Sequence, residues 1–203
     1  MARLMFVAGL LCVGWVYLEW ADARTFQQSA KLELAAEETG ARPGAAAPVP
    51  AAAVEAPVSE APRPAAGRDV IGLLDIPRVQ LSVAVVEGDD RKALKVAVGH
   101  VLRTPFPWDA GNAVFAGHRD NFFQPLKSLR IGDDLRLTTH RGTFNYQVRD
   151  IRIVEPDDVW VLEPAEGIDL TLITCYPFRY VGPAPLRFVV RAGRVAGNVP
   201  VPE

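Results

Sequence analysis

The sequence predicts a mostly β fold. Its C-terminal two thirds consist of short segments rich in Val, Ile, Leu and Phe, with turn residues between them and few stretches of helical spacing. Many short strands with few helices are typical of a β-barrel or sandwich rather than of a doubly wound sheet. The length of 203 residues, of which 49% are hydrophobic, suits one globular domain plus appendages.

The N-terminus contains an uncharged apolar run of 15 residues, Leu4–Leu18, preceded by Arg3. A spanning helix needs about 20 apolar residues, and flanking residues extend the run toward that length. We expect residues 1–21 to form an uncleaved single-pass anchor, with the N-terminus in the cytoplasm and the rest of the chain outside it. A cleaved signal peptide with small residues at Ala21 and Ala23 is one alternative, and a buried core helix is another.

Two segments follow the predicted anchor. Residues 22–39 contain helix formers and lack Gly and Pro, which predicts a short juxtamembrane helix. The composition then changes, and Gly40–Gly67 holds 11 Ala, 6 Pro and 3 Gly in 28 residues. Such a segment buries too little apolar surface to offset its ordering entropy, so residues 40–68 are predicted to be a flexible linker.

Residues 69–203 form the predicted folded domain, which is long enough for a single core. Its turn signals divide it into seven predicted strands and a few short helical pieces. The strands are Val70–Ile76, Val79–Val86, Ala113–Ala116, Asp134–Thr139, Phe144–Val154, Leu170–Cys175 and Arg187–Ala192. The helical pieces are Asp90–Ala97, Phe122–Leu129 and a turn of helix at Asp157–Leu162.

Charge and cysteine content exclude several classes of protein. The net charge of −2 gives no electrostatic reason to expect nucleic acid as a partner. The two cysteines cannot form a disulfide framework, because Cys12 lies inside the apolar run and leaves Cys175 without a mate. No cofactor or metal site is predicted. An unpaired thiol in an exported chain therefore needs an explanation.

Cys175 lies at the end of the segment "LTLITCYPF". Strand alternation places it on the face opposite Leu170 and Leu172, and Pro177 cannot continue a central strand. Strand ends are where a rigid scaffold commonly presents a reactive group. On position alone, a buried inert thiol is an equal alternative.

A nucleophilic thiol needs a partner that takes or shares its proton, usually histidine. The chain has three: His100, His118 and His140. Both "VAVGH" and "AVFAGH" place a histidine after an apolar run and a glycine, so spacing does not choose between His100 and His118. His140 lies in "THRG", which is typical of a hairpin turn with an exposed histidine.

The segment "PLRFVVRA" supplies a candidate for stabilising charge on an oxyanion. Arginine suits this role because it stays protonated and carries a fork of donors. Arg187 follows Cys175 by 12 residues, the separation expected of two neighbouring strands joined by one loop. Arg191 shares the predicted strand face of Arg187, and an arginine on a strand commonly faces solvent.

Together, "TLITC" with "YPF", "AGHRD" and "APLRFVVRA" resemble the sortases, the membrane-anchored cysteine transpeptidases of bacterial surfaces, and most strongly the class D group. The resemblance covers nearly all of residues 70–192, including "LDIP" and "GNAVFAGHRDNFFQPLKSL". The TLxTC pattern alone is moderately specific. In order with a GHRD-type histidine and a downstream RF strand, it is strongly so.

The resemblance implies an eight-stranded β-barrel and a site of three residues. Cys175 would be the nucleophile, His118 the general acid or base, and Arg187 the group that stabilises the oxyanion and the thiolate; Thr171 and Thr174 also keep the family pattern. The implied reaction cleaves an LPxTG-like motif, forms a thioester on the cysteine and transfers the acyl group to an amine. The implied partners are surface proteins with a C-terminal motif, a cell-wall precursor or protein lysine as acceptor, and the bacterial membrane.

Other functions fit the sequence less well. An L,D-transpeptidase also uses Cys, His and Arg, but its nucleophile lies in an SHGC-type segment, and no histidine immediately precedes Cys175. A papain-like protease would place the cysteine at a helix start early in its domain. The non-enzymatic alternative is a catalytically inactive, membrane-tethered β-barrel binding module, which has no reason to keep the thiol reactive.

Overall fold

Eight strands close into a barrel in the computed structural model of the protein, which describes residues 2–38, 69–163 and 167–195. The strand order around the barrel is β1-β2-β3-β4-β7-β8-β6-β5, and an antiparallel pairing of β1 with β5 closes it. Two neighbouring pairs, β2–β3 and β4–β7, are parallel. The strands are β1 (Val70–Ile76), β2 (Leu81–Glu87), β3 (Val98–His100), β4 (Gly111–Ala116), β5 (Asp134–Thr139), β6 (Gly142–Val154), β7 (Ile168–Tyr176) and β8 (Leu186–Arg194).

Helical elements lie between and before the strands. The α-helices are α1 (Ala2–Glu38) and α2 (Arg91–Val96), and short 3₁₀ helices cover Pro77–Val79, Gln124–Ser128 and Val159–Leu162. The Asp90 carboxylate caps α2 by accepting from the backbone N–H groups of Lys92 and Ala93. Such a cap satisfies donors that have no partner inside the helix.

The mostly β fold and the eight-stranded barrel are confirmed, but two local predictions were wrong. The strand β3 was missed because three residues directly after α2 are too short for a periodic pattern. Its Gly99 lies so close to the Gly88 carbonyl that an added Cβ would clash with it. The predicted helix Phe122–Leu129 is instead the shorter 3₁₀ helix Gln124–Ser128, which starts beside a proline.

Alternating side chains fill the barrel and leave a second face outside it. Leu170 and Leu172 of β7 and Val190 of β8 are fully buried in the main core. Their neighbours Ile173 and Val189 point the other way and pack with Val161 in a small outer cluster. The predicted alternation along β7 is therefore confirmed, and it places Cys175 on the outer face.

The helix α1 packs against the outside of the barrel. Phe26 and Ala30 are buried against Ala84 and Val86 of β2 and against residues of α2. The Gln27 side chain accepts from the Ala84 N–H (2.8 Å) and donates to the Val96 carbonyl (2.7 Å). Of the predicted juxtamembrane helix, residues 22–39, the described part 22–38 forms the C-terminal half of α1 and packs on the barrel.

Two sequence predictions at the N-terminal side are not confirmed by the fold. Within the residues that the structure describes, no helix carries an apolar stretch long enough to cross a membrane. The predicted anchor at residues 1–21 stays a prediction. The predicted linker, residues 40–68, lies almost entirely outside the described residues, as does the chain after residue 195.

Candidate active site

The central element of the candidate site is the end of β7, which has β4 on one side and β8 on the other. Cys175 is the next-to-last residue of this strand and is partly exposed. Thr174, one residue before it, points into the barrel and is only 3% exposed. Its hydroxyl donates to the Gly117 carbonyl at 2.7 Å. This bond ties the strand that carries Cys175 to the segment that leaves β4.

The segment after β4 brings His118 next to Cys175. The parallel register pairs Ala116 with Ile173, and the Gly117 N–H donates to the Ile173 carbonyl at 3.1 Å. His118 follows Gly117 directly, so it lies on the segment that is joined to the end of β7 through Ile173 and Thr174. Its side chain is half-buried, as is that of Cys175.

The backbone around His118 is fixed by Phe123. The Phe123 N–H donates to the His118 carbonyl at 3.1 Å, and the Phe123 ring is fully buried. A Cβ added to Gly117 would lie 2.7 Å from this ring, so only glycine allows the aromatic side chain to pack so closely against the turn. The sequence "AGHRDNFF" therefore combines the histidine with the glycine and the aromatic ring that hold its backbone.

Arg187 lies on the other side of Cys175. The two residues are direct partners in the antiparallel pairing of β7 with β8. The guanidinium of Arg187 donates through Nη1 to the carbonyls of Leu186 (3.0 Å) and Ala184 (3.3 Å). It is thus held by the connection between the two strands. The structure thus pairs Cys175 directly with Arg187 and carries His118 on the segment on the other side of β7.

The other two histidines lie elsewhere. His100 is only 2% exposed, and its Nε2 lies 3.1 Å from the Pro105 carbonyl and 3.0 Å from the Thr104 hydroxyl. Burial lowers the pKa of His100 below its ordinary value. His140 is exposed in the β5–β6 turn, as the sequence predicts, and its ring is 5.2 Å from that of Trp108.

Comparison with known protein families agrees with this geometry. A family profile described as a sortase domain matches residues 74–195, which is more than half of the chain. The chain belongs to the sortase family. The match begins within β1 and ends just after β8, so it includes the ends of β4, β7 and β8 on which the candidate site is built.

Relatives by sequence include sortases of two named types. Sortase D of Bacillus subtilis is 39% identical over 125 residues, which are 61% of this chain and 63% of that protein. Sortase A of Listeria monocytogenes is 28% identical over 110 residues, which are 52% of this chain and 49% of that protein. The chain thus spans 63% of the length of the first of these relatives and 49% of the second. The higher identity to the sortase D relative agrees with the class D resemblance.

Solved sortase structures superpose on the barrel. A Clostridium perfringens sortase D5 transpeptidase matches with a TM-score of 0.58 and 28% identity, over 63% of this chain and 80% of that one. Sortase C of Streptococcus pneumoniae matches with a TM-score of 0.60 and 26% identity, over 66% and 72% of the two chains. This sortase therefore has the barrel that the resemblance implied.

Sequence reasoning missed a buried residue that anchors the β6–β7 connection. The Asn112 side chain is fully buried and donates to the carbonyls of Val161 (3.0 Å) and Glu163 (3.3 Å). Its own carbonyl accepts from the Thr171 hydroxyl at 2.7 Å. Arg191 of β8 also donates to the Val161 carbonyl, at 3.3 Å. Arg191 is therefore partly buried and engaged rather than a solvent-facing residue.

These contacts place the 3₁₀ helix Val159–Leu162 over the outer face of β7 and β8. A small cavity of about 50 Å³ lies beneath its Trp160 end. The cavity is lined by Asp150, Arg152, Trp160, Val161, Val189 and Arg191, and by none of the three site residues. Its lining comes from β6, the 3₁₀ helix and β8, away from the end of β7 that carries Cys175.

Among the residues that the structure describes, no three His, Cys, Asp or Glu side chains cluster as a metal site would require. Independently of that, the three predicted site residues carry a thiol, an imidazole and a guanidinium. A thiol on a strand end with these two neighbours can act as a nucleophile if its proton is removed. Asn112 and Gly117 both lie in the segment "GNAVFAGH", which the sequence analysis had singled out. Their hydrogen-bond partners are distant in the sequence and are known only from the structure.

Proposed function

We propose that this sortase is a cysteine transpeptidase that cleaves an LPxTG-like sorting motif and joins the acyl fragment to an amine. The observation that carries the proposal is that Cys175 pairs directly with Arg187 across β7 and β8, next to the segment after β4 on which His118 lies. Family membership supports the reaction class, and the named relatives include a sortase D5 transpeptidase.

In the proposed acylation step, the Cys175 thiolate attacks the carbonyl carbon of the scissile peptide bond. A C–S bond forms, the C–N bond breaks, and protonated His118 gives its proton to the leaving amine. The product is a thioester on Cys175. Arg187 supports this step in two ways: its positive charge favours the thiolate, and its donors stabilise the oxyanion that develops on the carbonyl oxygen.

The second step transfers the acyl group. An incoming amine, from a cell-wall precursor or a protein lysine, attacks the thioester and loses its proton to His118. The C–S bond breaks and an amide forms, so that thiolate and imidazolium are restored. Binding of a surface protein with a C-terminal motif and of an acceptor amine is therefore required in sequence.

Membrane attachment is a separate proposal, which rests on the sequence of residues 1–21 alone. The uncharged run Leu4–Leu18 and the aromatic residues near its end are typical of an anchor that leaves the catalytic domain outside the cytoplasm. Flotation of the full chain with phospholipid vesicles tests it. Co-flotation that is lost when Leu10 and Leu11 are replaced by Arg is expected, and a chain that stays at the bottom of the gradient would contradict it.

Product analysis tests the proposed reaction. The full chain is mixed with a panel of LPxTG-like peptides and a short glycine amide as acceptor, beside a Cys175→Ala control, and the products are separated and weighed. We expect one peptide to be cut after its threonine and joined to the acceptor by the wild type only. Turnover by the Cys175→Ala variant would exclude the proposed nucleophile.

A further inference from the structure

Arg119 directly follows His118 in the chain, and its guanidinium reaches the loop that connects β7 to β8. We call residues 177–185 the β7–β8 loop. Arg119 Nη1 donates to the Pro177 carbonyl at 3.1 Å, and Nη2 donates to the carbonyls of Tyr180 (2.9 Å) and Gly182 (3.2 Å). The same guanidinium lies 5.8 Å from the centre of the Tyr180 ring. One side chain thus holds three carbonyls of the loop.

The β7–β8 loop begins two residues after Cys175 and ends two residues before Arg187. Its last carbonyl but one, that of Ala184, also accepts from the Arg187 guanidinium, as does the carbonyl of Leu186. Arg119 therefore binds the first part of the loop through hydrogen bonds, and Arg187 binds the part that follows. The chain of contacts runs from the histidine segment through the loop to the second arginine.

We propose that Arg119 is a positioning residue that sets the place of the Arg187 guanidinium relative to Cys175. It acts through the β7–β8 loop, and it also fixes that loop to the segment that carries His118. Three carbonyls at separate positions need a planar, forked donor, which arginine provides and lysine does not. The proposal rests on the proposed function only in so far as Arg187 affects the thiol.

Two measurements test this inference on the full chain, and neither needs a substrate. The first is hydrogen–deuterium exchange of the β7–β8 loop. The second is the rate at which iodoacetamide alkylates Cys175 as a function of pH, because the thiolate is the reactive form. The variants are Arg119→Ala, Arg119→Lys and Arg187→Ala. Arg179→Ala is the matched control, because Arg179 is exposed in the same loop.

We expect Arg119→Ala and Arg119→Lys both to raise exchange in the loop and to move the alkylation profile to higher pH. The alkylation rate at neutral pH should fall about three-fold or more, against roughly ten-fold for Arg187→Ala. Arg179→Ala should match the wild type. The lysine variant is decisive because it keeps the positive charge next to His118 and loses only the fork of donors.

If Arg187→Ala changes the pH dependence of Cys175 alkylation but Arg119→Lys alkylates like the wild type, the inference is overturned. The proposed function would then stay in place. Increased loop exchange with an unchanged profile would also overturn it, because the clamp would then be structural only. An unchanged profile in Arg187→Ala would contradict the role proposed for Arg187, and the positioning role of Arg119 with it. The two failures are therefore distinct.

Discussion

Cys175 and Arg187 are direct cross-strand partners on β7 and β8, on the outer face of the barrel. Side chains at such positions start from Cβ atoms about 5 Å apart, so a long side chain such as that of Arg187 can reach the Cys175 sulfur. The core side chains fix the register of these two strands. Leu172 pairs with Val190 in the same register, and both are buried in the core. A slip of one residue would turn the core side chains outward and Cys175 inward.

Replacement of Arg187 tests this relationship. Arg187→Ala should lower kcat/KM for the preferred peptide by about 10²–10³-fold, the loss typical of one oxyanion donor. Arg187→Lys should recover part of the loss, because the charge remains and the fork does not. Steady-state kinetics on the full chain check this, with Arg179→Ala as the control. Equal kinetics for Arg187→Ala and Arg179→Ala would mean that the paired arginine does not take part.

Replacement of Asn112 tests the anchoring of the β6–β7 connection. Asn112→Ala leaves the Thr171 hydroxyl and the Glu163 carbonyl without this partner, while the Val161 carbonyl keeps its bond from Arg191. A buried polar group left unpaired costs about 1–3 kcal/mol. We expect the free energy of unfolding in urea to fall by at least the lower figure. Thr171→Val removes only one of the three bonds and should cost less. A larger loss from Thr171→Val than from Asn112→Ala would be inconsistent with an anchor centred on the amide.

The buried His100 predicts how stability depends on pH. Burial lowers the pKa of His100 below 6.5 in the folded state, so the unfolded chain binds more protons between the two values. The free energy of unfolding that depends on His100 is fully present above pH 6.5. It decreases as the pH falls below that value and stays constant below the lowered pKa of His100. The slope is at most about 1.4 kcal/mol per pH unit for one proton.

Urea unfolding between about pH 7.5 and pH 5 measures this dependence. The loss on acidification should be smaller in His100→Gln, which cannot take up the proton, than in the wild type. The exposed His140 supplies the control, since His140→Gln should leave the dependence unchanged. Parallel curves for the wild type and His100→Gln would show that His100 does not couple folding to pH.

The packing of α1 on the barrel gives another prediction. Gln27→Ala removes both polar links to the barrel, and Ala30→Glu places a charge where the side chain is only 1% exposed. Both should release the C-terminal half of α1, because Gln27→Ala leaves the Ala84 N–H and the Val96 carbonyl without this partner, and Ala30→Glu buries an unpaired charge. Hydrogen–deuterium exchange of residues 22–38 should then rise, while that of β7 stays low. Lys31→Glu, a charge change beside Ala30, is the matched control.

The barrel was predictable because its segments are short, rich in Val, Ile, Leu and Phe, and separated by turn residues. In β7 the letters follow the period of two only in part, since the apolar Ile173 packs outside the barrel and the polar Thr174 is buried. The packing of α1 also left a signal, since Phe26, Ala30 and Leu34 recur at intervals of four on one helix face. The surface of β2 that receives this face is formed by Ala84 and Val86, and the two could not be matched from the sequence.

The choice of histidine shows what local sequence cannot decide. His100 and His118 both follow an apolar run and a glycine, and both lie at the end of a strand. The two histidines differ in whether their strand is a neighbour of β7. β4, which precedes His118, pairs with β7 in parallel although the two strands are more than 50 residues apart in the chain. The periodicity of the residues does not predict which distant strands pair. The contacts of Asn112 and Arg119 are long-range for the same reason.

Intact-mass spectrometry of the full chain tests the central claim most directly. The wild type and Cys175→Ala are each incubated with the peptide panel and weighed, and the wild type is then given an amine. The proposed mechanism predicts that only the wild type gains the mass of the peptide up to its threonine, and that the amine removes this mass. The formation of the same adduct by Cys175→Ala would contradict the mechanism. So would cleavage of the peptide by a wild type whose Cys175 is reactive but never carries an adduct.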